Sequence, residues 1–539
     1  MNTLLSALSA GLLLSLAAFG QNARAASQSC ESLARLSLAN AKILSATTIA
    51  AGAFQPPSGE EENGQGLSFY KKLPAFCRVT IQSAPSTDSD IKIEVWMPVN
   101  GWNGRLQAEG NGGFAGYIDY RGMGVALSDG YATASTDTGH SGTPTDAAWA
   151  LGHPEKLTDF GYRAIHEMTL AAKAAIKSFY GDSPKRSYFG SCSNGGRQAL
   201  MEVQRFPNDY DGVLAGAPAN FWTHLLAGAL WDAQALTATP DSYIPSSKLP
   251  AIAAAVNASC DVRDGVRDGI LNDPRKCHFD PASLLCHGAD SDSCLTAAQA
   301  ATLKKLYEGA HDSHGRALFP GFLPGAETGG GGWTPWIIGT APGKSLLFAF
   351  GTGFFADFVY GDPGWNYRKA SMDDAVKAAD SKAARALNAT DPDLARFNAR
   401  GGKLILYHGW DDPAISALST INYYDSTVRA MGEKRVNSFV RLYMVPGMQH
   451  CGGGPGPDSF GAEGALQRGD PQHDVRAAVE QWVEMGIAPG AIVATKFADD
   501  DPSKAVRMTR PLCPYPQSAN YKGSGDTNEA GNFTCGEGN

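Results

Sequence analysis

The chain has 539 residues, more than one compact core usually organises, so we expect a large domain with a substantial insertion or second domain. With 43% hydrophobic and 18% charged residues, the composition is that of an ordinary globular protein. A formal net charge of −9 without a basic stripe argues against nucleic acid or an anionic membrane as partner, and leaves the oligomeric state open.

Residues 1–25 have the pattern of a secretory signal peptide. An apolar stretch over 4–19 precedes Ala23-Arg24-Ala25, a small-x-small cleavage pattern, so the mature chain would start near Ala26. No Lys or Arg precedes the apolar stretch, and an uncleaved membrane anchor is the alternative. We expect a secreted or periplasmic protein, in which the even number of cysteines, 10, favours disulfides.

Short apolar runs alternate with a helical pattern through both ends of the chain. Apolar residues at helical spacing predict a helix over 162–178. Apolar or alternating runs predict strands over 91–99, 105–108, 131–135, 187–189, 212–216, 404–407 and 439–444. Strands that alternate with helices indicate an α/β architecture with a largely parallel sheet.

Residues 221–398 interrupt this alternation and read as a lid inserted between two core segments, 26–220 and 399–539. The insertion holds four cysteines, an acidic loop, a Gly-rich stretch over 328–332 and many aromatic residues. The aromatic set is Trp333, Trp336, Phe348, Phe350, Phe354, Phe355, Phe358, Tyr360, Trp365 and Tyr367. Most of these side chains are expected to form the core of the lid, and a few could line a pocket for a flat aromatic acid.

Residues 187–206 read as a strand, a sharp turn of small residues and a helix, with Ser193 in the turn. This is the context of a nucleophile elbow, in which a strained turn exposes the serine Oγ and the helix N-terminus favours a developing oxyanion. Gly195 and Gly196 supply the small neighbours that the turn needs. The usual glycine two residues before the serine is replaced by Ser191, and a plain Gly/Ser turn is the structural alternative.

Candidate partners for the serine follow it in the order acid, then base. Asp412 lies in a loop after the apolar run 404–407, and His450 lies in a Gly-rich loop after the run 439–444. This is the chain order of an α/β-hydrolase triad. We prefer Asp412 to its neighbour Asp411 because Pro413 fixes the backbone directly after it, and we expect His408 to pack or hydrogen-bond at the strand end.

The oxyanion of such an enzyme needs two backbone N–H donors. We expect them at Asn194, directly after the serine, and at Gly112, in the Gly-rich loop 110–114 after an early strand. A plain glycine turn is the alternative for that loop.

Three motifs together resemble the tannase/feruloyl esterase family: the string 192–197, the Trp-Asp-Asp-Pro loop 410–413, and His450-Cys451. The resemblance covers the mature chain and implies an α/β-hydrolase core with a large inserted lid. It also implies a Cys192–Cys451 disulfide beside the nucleophile and the base. Such a bond would hold Ser193 and His450 as neighbours and would close a loop worth about 5 kcal/mol of chain entropy. The other implied pairs are Cys30–Cys77, Cys260–Cys277, Cys286–Cys294 and Cys513–Cys535.

Residues 260–270 carry three aspartates interleaved with glycines, a pattern that could converge on Ca²⁺. A solvated acidic turn, partly neutralised by Arg263 and Arg267, is the alternative. The family resemblance implies a structural calcium ion in the lid. Its ligands would be the side chains of Asp261, Asp264 and Asp268 and the backbone carbonyls of Val266 and Ile270.

The motifs predict a serine carboxylic ester hydrolase that works through an acyl-enzyme. The resemblance implies a small aromatic ester as substrate, either a feruloyl (hydroxycinnamoyl) ester or a galloyl ester. A terephthalate monoester, whose free carboxylate would need a cation such as Lys344, is the alternative substrate. A non-catalytic binding protein is a second alternative, which the three chemically competent triad residues disfavour, and a related peptidase is a third.

Overall fold

The computed structural model describes residues 28–57, 68–462 and 469–538. The predicted signal peptide lies outside these residues. Within them, the strands are β1 (Ala41–Ile49), β2 (Phe76–Ser83), β3 (Ile91–Pro98), β4 (Arg105–Glu109), β5 (Ala132–Thr136), β6 (Arg186–Cys192), β7 (Gly212–Gly216), β8 (Gly309–His311), β9 (Ala317–Pro320), β10 (Lys403–Gly409), β11 (Val440–Val445), β12 (Ile492–Phe497), β13 (Val506–Leu512), β14 (Gln517–Tyr521) and β15 (Phe533–Glu537).

The helices of the same part of the chain are α1 (Tyr120–Ser128), α2 (Pro154–Thr158), α3 (Ala164–Tyr180), α4 (Asn194–Arg205), α5 (Trp222–Leu236), α6 (Leu249–Cys260), α7 (Ala297–Glu308), α8 (Leu346–Gly353), α9 (Met372–Lys382), α10 (Ala384–Leu387), α11 (Ala395–Ala399), α12 (Ala417–Met431), α13 (Glu433–Val436) and α14 (Val475–Met485). Short 3₁₀ and π-helical turns join several of them.

The main sheet has the strand order β1-β2-β3-β5-β4-β6-β7-β10-β11. From β5 to β11 neighbouring strands are parallel, and β1, β2 and β3 add an antiparallel edge. The central parallel strands β6, β7 and β10 are buried almost throughout, which explains why they appear in the sequence as continuous apolar runs. The prediction of an α/β fold is confirmed.

The lid is connected to the sheet between two adjacent strands. β7 pairs directly with β10, from Gly212 opposite Lys403 to Gly216 opposite Tyr407, so the sheet continues across the insertion. The connection, residues 217–402, contains helices α5 to α11 and the hairpin β8–β9. The predicted lid, 221–398, falls within this connection. The connection leaves the carboxyl end of β7 and returns to the amino end of β10, so its first helix, α5, begins at the edge of the sheet where ligands bind in such folds.

Two apolar clusters of the lid have different roles. One, which includes Leu249, Ile252, Leu303 and Trp333, is formed by the lid itself. The other packs Phe354, Phe355 and Phe358 against core residues such as Phe114 and Phe160. Most of the aromatic run is thus core packing, as the sequence indicated, and it fixes the lid on the catalytic domain.

Five disulfides join the ten cysteines in the pairs that the family resemblance implied. Cys513–Cys535 fastens the end of β13 to the hairpin β14–β15, so the polar tail is an ordered, pinned segment. In the described parts of the chain, no helix is both long enough and apolar enough to cross a bilayer.

Candidate active site

Ser193 occupies a strained turn between β6 and α4. Its backbone has φ 65° and ψ −124°, a region that residues other than glycine rarely adopt. The Ser193 N–H donates to the Gly216 carbonyl oxygen at 2.9 Å, which fixes the turn to the neighbouring strand β7. A Cβ on Gly196 would lie 2.2 Å from that same oxygen, so only glycine fits there. The turn therefore has the backbone of a nucleophile elbow.

The serine at position 191 is accommodated by glycines around it. A Cβ on Gly195 would lie 2.0 Å from Ser191 Oγ, and a Cβ on Gly110 would lie 2.9 Å from Ser191 Cβ. Ser191 is buried, with 3% of its surface exposed. The turn thus tolerates a side chain two residues before Ser193 because two other positions, Gly110 and Gly195, carry none.

His450 bridges Ser193 and Asp412. His450 Nε2 lies 3.0 Å from Ser193 Oγ, and His450 Nδ1 lies 2.8 Å from Asp412 Oδ2. In the neutral tautomer that this arrangement favours, the serine hydroxyl donates to Nε2 and Nδ1–H donates to the carboxylate. The ring of Trp336 meets the His450 ring edge-to-face at 4.8 Å and closes the site from the lid side.

Asp412 is held as a carboxylate by its surroundings. Its Oδ1 accepts from the backbone N–H groups of Ala414 and Ile415 at 2.8 and 2.9 Å. Burial alone would raise the pKa of Asp412, but the contacts with His450 and His408 outweigh burial and hold that pKa below its usual value. His408 Nε2 lies 3.1 Å from Asp412 Oδ2, so this histidine, which we expected only to pack or hydrogen-bond at the strand end, supports the acid directly.

Asp411 lies away from His450. It is 1% exposed, and its Oδ1 is buried without a hydrogen-bond partner among the described residues. Burial and the nearby Glu327 raise its pKa well above the ordinary value. Of the two adjacent aspartates, therefore, Asp412 is the one in contact with the histidine.

The disulfide Cys192–Cys451 joins the two chain segments that carry the serine and the histidine. Its Cα atoms are 6.0 Å apart, although the cysteines are 259 residues apart in sequence. Cys451 has φ 63°, so the histidine loop turns sharply as it meets the bond. The bridge holds Ser193 and His450 at a fixed separation independently of the hydrogen bond between them.

The N–H of Gly112, the expected oxyanion donor, is engaged by a side chain of the protein. The Gly112 N–H donates to the Tyr117 hydroxyl at 2.7 Å and is therefore already used. Gly113, the next residue, lines the cavity beside Ser193 together with Asn194. Sequence spacing could not separate these two neighbours, because only the folded loop, in which Gly113 has a φ of 54°, shows which of them lines the cavity. Asn194 is the first residue of α4, where a backbone N–H has no partner within the helix.

The cavity in front of Ser193 is apolar. Its walls come from core and lid, and include Phe114, Trp222, Leu225, Trp336, Leu347 and Phe350. Of the aromatic run, only Trp336 and Phe350 belong to this wall. The sequence pattern did not indicate Trp222 and Leu225 as wall residues, because helix α5 has the apolar pattern of an ordinary buried helix. Lys344 is exposed and is not part of the wall.

The predicted calcium loop forms a compact turn in the lid. Asp264 Oδ1 and Oδ2 accept from the N–H groups of Val266 and Asn272, and Asp261 Oδ1 accepts from Gly269. Burial, together with the charges of Asp268 and Asp261, raises the pKa of Asp264 to about 6.

The remaining predicted ligands of that loop are partly engaged by the protein. Asp268 Oδ1 accepts from the Ile270 N–H, and Asp268 Oδ2 pairs with Arg510 at 2.8 Å. The nearby Asn272 Oδ1 is buried without a hydrogen-bond partner among the described residues. A set of mutually repelling carboxylates beside an unpaired amide oxygen fits a hard cation such as Ca²⁺.

A family model described as tannase and feruloyl esterase matches residues 77–536. The chain belongs to this family. It is 44% identical to an uncharacterized esterase of Xanthomonas campestris pv. campestris, over 97% of this chain and 94% of the relative. It is 36% identical to a probable feruloyl esterase B-2 of Aspergillus terreus, over 85% of this chain and 86% of the relative. This esterase is therefore a carboxylic ester hydrolase.

Solved structures share the fold of this esterase. Feruloyl esterase B from Aspergillus oryzae superposes with a TM-score of 0.85 at 30% identity, covering 94% of this chain and 99% of that one. The tannin acyl hydrolase from Aspergillus niger, at 23% identity, superposes with a TM-score of 0.71 over 92% of each chain. The inserted lid is thus part of a shared architecture.

The close packing of Ser191 against Gly195 predicts a suppressor pair. Gly195→Ala should lower kcat/KM of this esterase by at least about tenfold, because its Cβ would collide with Ser191 and shift Ser193 in the turn that follows. Ser191→Gly/Gly195→Ala should recover most of that loss, because it removes Cβ and Oγ of Ser191, the two atoms with which the alanine Cβ would collide. Activity measured on one ester for the two variants decides the matter, and no recovery in the double variant would contradict the packing argument.

The disulfide at the site predicts a loss of activity beyond the loss of stability. Cys192→Ser/Cys451→Ser should lower the free energy of unfolding by about 5 kcal/mol. It should also lower kcat when kcat is measured well below the melting temperature of the variant. The matched control is Cys286→Ser/Cys294→Ser, which opens a bridge of separation 8 remote from the serine and should cost about 2.5 kcal/mol without changing kcat. Equal kcat values for both double variants, measured below their melting temperatures, would refute the positioning role.

Proposed function

We propose that this esterase works through a Ser193-His450-Asp412 triad and an acyl-enzyme. Ser193 Oγ attacks the ester carbonyl while His450 Nε2 takes its proton and then gives it to the leaving alcohol. Asp412 orients the imidazole and stabilises its charged form. Water then hydrolyses the acyl-enzyme by the same steps. The contacts of 2.8 and 3.0 Å on the two ring nitrogens of His450 are the observation that carries this proposal.

The oxyanion of the tetrahedral intermediate would be held by the N–H groups of Asn194 and Gly113. Asn194 begins helix α4, so the partial positive charge of the helix N-terminus adds to its hydrogen bond. Gly113 borders the same cavity from the opposite loop. Both donors would be backbone groups, so no side chain would have to reorient as the negative charge develops.

The substrates that we propose are esters of aromatic acids, with hydroxycinnamoyl (feruloyl) esters first and galloyl esters second. Support comes from the apolar, aromatic cavity at Ser193 and from the probable feruloyl esterases among the relatives. A terephthalate monoester is a weaker candidate, because the described residues that line the cavity include no Lys or Arg to pair with its free carboxylate. A non-catalytic role is disfavoured by the complete set of triad contacts.

We further propose that the protein is exported and that a structural Ca²⁺ ion stiffens the lid. Five disulfides favour an oxidising compartment, which agrees with the signal peptide expected from the sequence. The ion would be held by Asp261, Asp264 and Asp268 with the carbonyls of Val266 and Ile270. It would offset the repulsion from Asp268 and Asp261 that adds to burial in raising the pKa of Asp264. Its role would be to order the acidic loop, apart from the reaction.

The triad is tested by three substitutions assayed on methyl ferulate. Ser193→Ala and Asp412→Asn should each lower kcat by about 10⁴-fold or more, because one removes the nucleophile and the other misorients the base. The matched control is Asp411→Asn, a neighbouring buried carboxyl without contact to His450, which should cost less than about tenfold. A fluorophosphonate probe should label the wild type only at Ser193. Turnover by Ser193→Ala, or equal losses from the two aspartate variants, would reject the assignment.

The calcium proposal is tested by thermal unfolding of chelator-treated protein. Adding Ca²⁺ at about a hundredfold above its Kd should stabilise the fold by about 2.7 kcal/mol. Asp264→Asn should abolish this shift, whereas the control Asp241→Asn, an exposed aspartate of the lid, should retain it. An unchanged melting temperature in wild-type protein, or an equal shift in Asp264→Asn, would count against a calcium site here.

A further inference from the structure

A second, small cavity lies directly behind the apolar cavity at Ser193. The two cavities share three wall residues, Leu225, Leu347 and Ala414, so only one layer of side chains separates them. The rear cavity measures about 10 Å³, which is roughly the space that one water or one hydroxyl group needs. It lies on the lid side, where α5 packs against α8 and the β8–β9 hairpin.

One acidic residue, Asp232, lines this rear cavity. Leu225, Gly228, Ala229 and Asp232 follow the i, i+3, i+4, i+7 spacing of one helix face and all border the cavity. Asp232 is 6% exposed, and no hydrogen bond or ion pair to its carboxylate is found among the described residues. Burial raises its pKa well above the ordinary value.

A buried carboxyl in apolar surroundings lowers the stability of the fold unless a ligand supplies the missing hydrogen-bond partner. Burying such a group without a hydrogen-bond partner costs roughly 1–3 kcal/mol in folded proteins. The rest of the rear wall is apolar or glycine, including Phe319 and Phe322, and offers no side-chain partner for the acid. Asp232 is therefore placed to interact with a polar group that enters from the front cavity.

We propose that Asp232 binds the ring hydroxyl of a para-hydroxylated aromatic acid whose carbonyl is held at Ser193. This inference rests on the proposed function, and it identifies the residue that would select the substrate of the enzyme. Along the axis of α5, Asp232 lies about 10 Å beyond Leu225, which borders the front cavity. The ring would fill the apolar cavity, and its hydroxyl would enter the rear one as the side chains of Leu225 and Leu347, which separate the two cavities, move apart. The longer hydroxycinnamoyl acids reach further toward Asp232 than hydroxybenzoyl acids do.

The chemistry of the subsite also predicts which ring substituents are disfavoured. A phenolic hydroxyl can donate to the Asp232 carboxylate or accept from its protonated form, so it fits either state. A hydrogen atom at that ring position would leave the carboxyl unpaired, and a free carboxylate there would be desolvated in an apolar space whose described wall residues include no cation. The expected order of preference is therefore hydroxyl, then hydrogen, then carboxylate.

The test compares methyl p-coumarate with methyl cinnamate, which differ only in that hydroxyl. Wild-type enzyme should prefer p-coumarate in kcat/KM by about tenfold or more. Asp232→Leu should bring this ratio close to one while turnover of methyl cinnamate stays within about threefold. The control Gln234→Met alters a polar side chain on the same helix that is not part of either wall and should keep the wild-type ratio.

A second variant keeps the proposal testable if Asp232→Leu does not fold. Asp232→Ala removes the carboxyl without adding bulk, so it should also bring the ratio of kcat/KM for methyl p-coumarate and methyl cinnamate close to one. An unchanged hydroxyl preference in either variant would overturn the proposal. Ser193-dependent hydrolysis of methyl cinnamate reports separately on the proposed function, so the two failures are distinguishable.

Discussion

The disulfide between Cys192 and Cys451 holds together two chain segments of the site whose strands are not adjacent in the sheet. Ser193 follows β6 and His450 follows β11, and these strands are separated in the sheet by β7 and β10. Three strand spacings amount to about 14 Å, too far for direct contact between side chains at the strand ends. The loop after β11 must therefore turn back across the sheet edge, and the disulfide, with Cα atoms 6.0 Å apart, holds it there. Asp412, after the intervening β10, then lies within reach of the histidine.

The lid depends on the same sheet edge. Because it is inserted between β7 and β10, its first helix, α5, starts beside the nucleophile turn and carries Trp222 and Leu225 into the cavity wall. Its aromatic cluster packs on core residues such as Phe114, which fixes the lid as a wall. The apolar cavity is therefore a product of both parts of the chain, whereas the polar chemistry of the triad belongs to the core alone.

How far the sequence predicted the fold depends on local burial. The strands β6, β7 and β10 are buried on both faces and were visible as apolar runs. The edge strand β1 has a mostly exposed pattern and gave no such signal. The C-terminal hairpins were also missed, since their order depends on pairing and on Cys513–Cys535, and the tail composition resembles that of a loop.

The sequence by itself determined the chemistry: a serine in a small-residue turn, then an acid and a histidine after later strands, with cysteines beside serine and base. Those features are local, because each depends on a strand and the turn that follows it. Only the tertiary structure decided that Gly113 rather than Gly112 borders the serine, and that Asp232 ends in a cavity behind it. Such facts depend on backbone φ angles and on contacts between segments far apart in sequence, which local patterns do not encode.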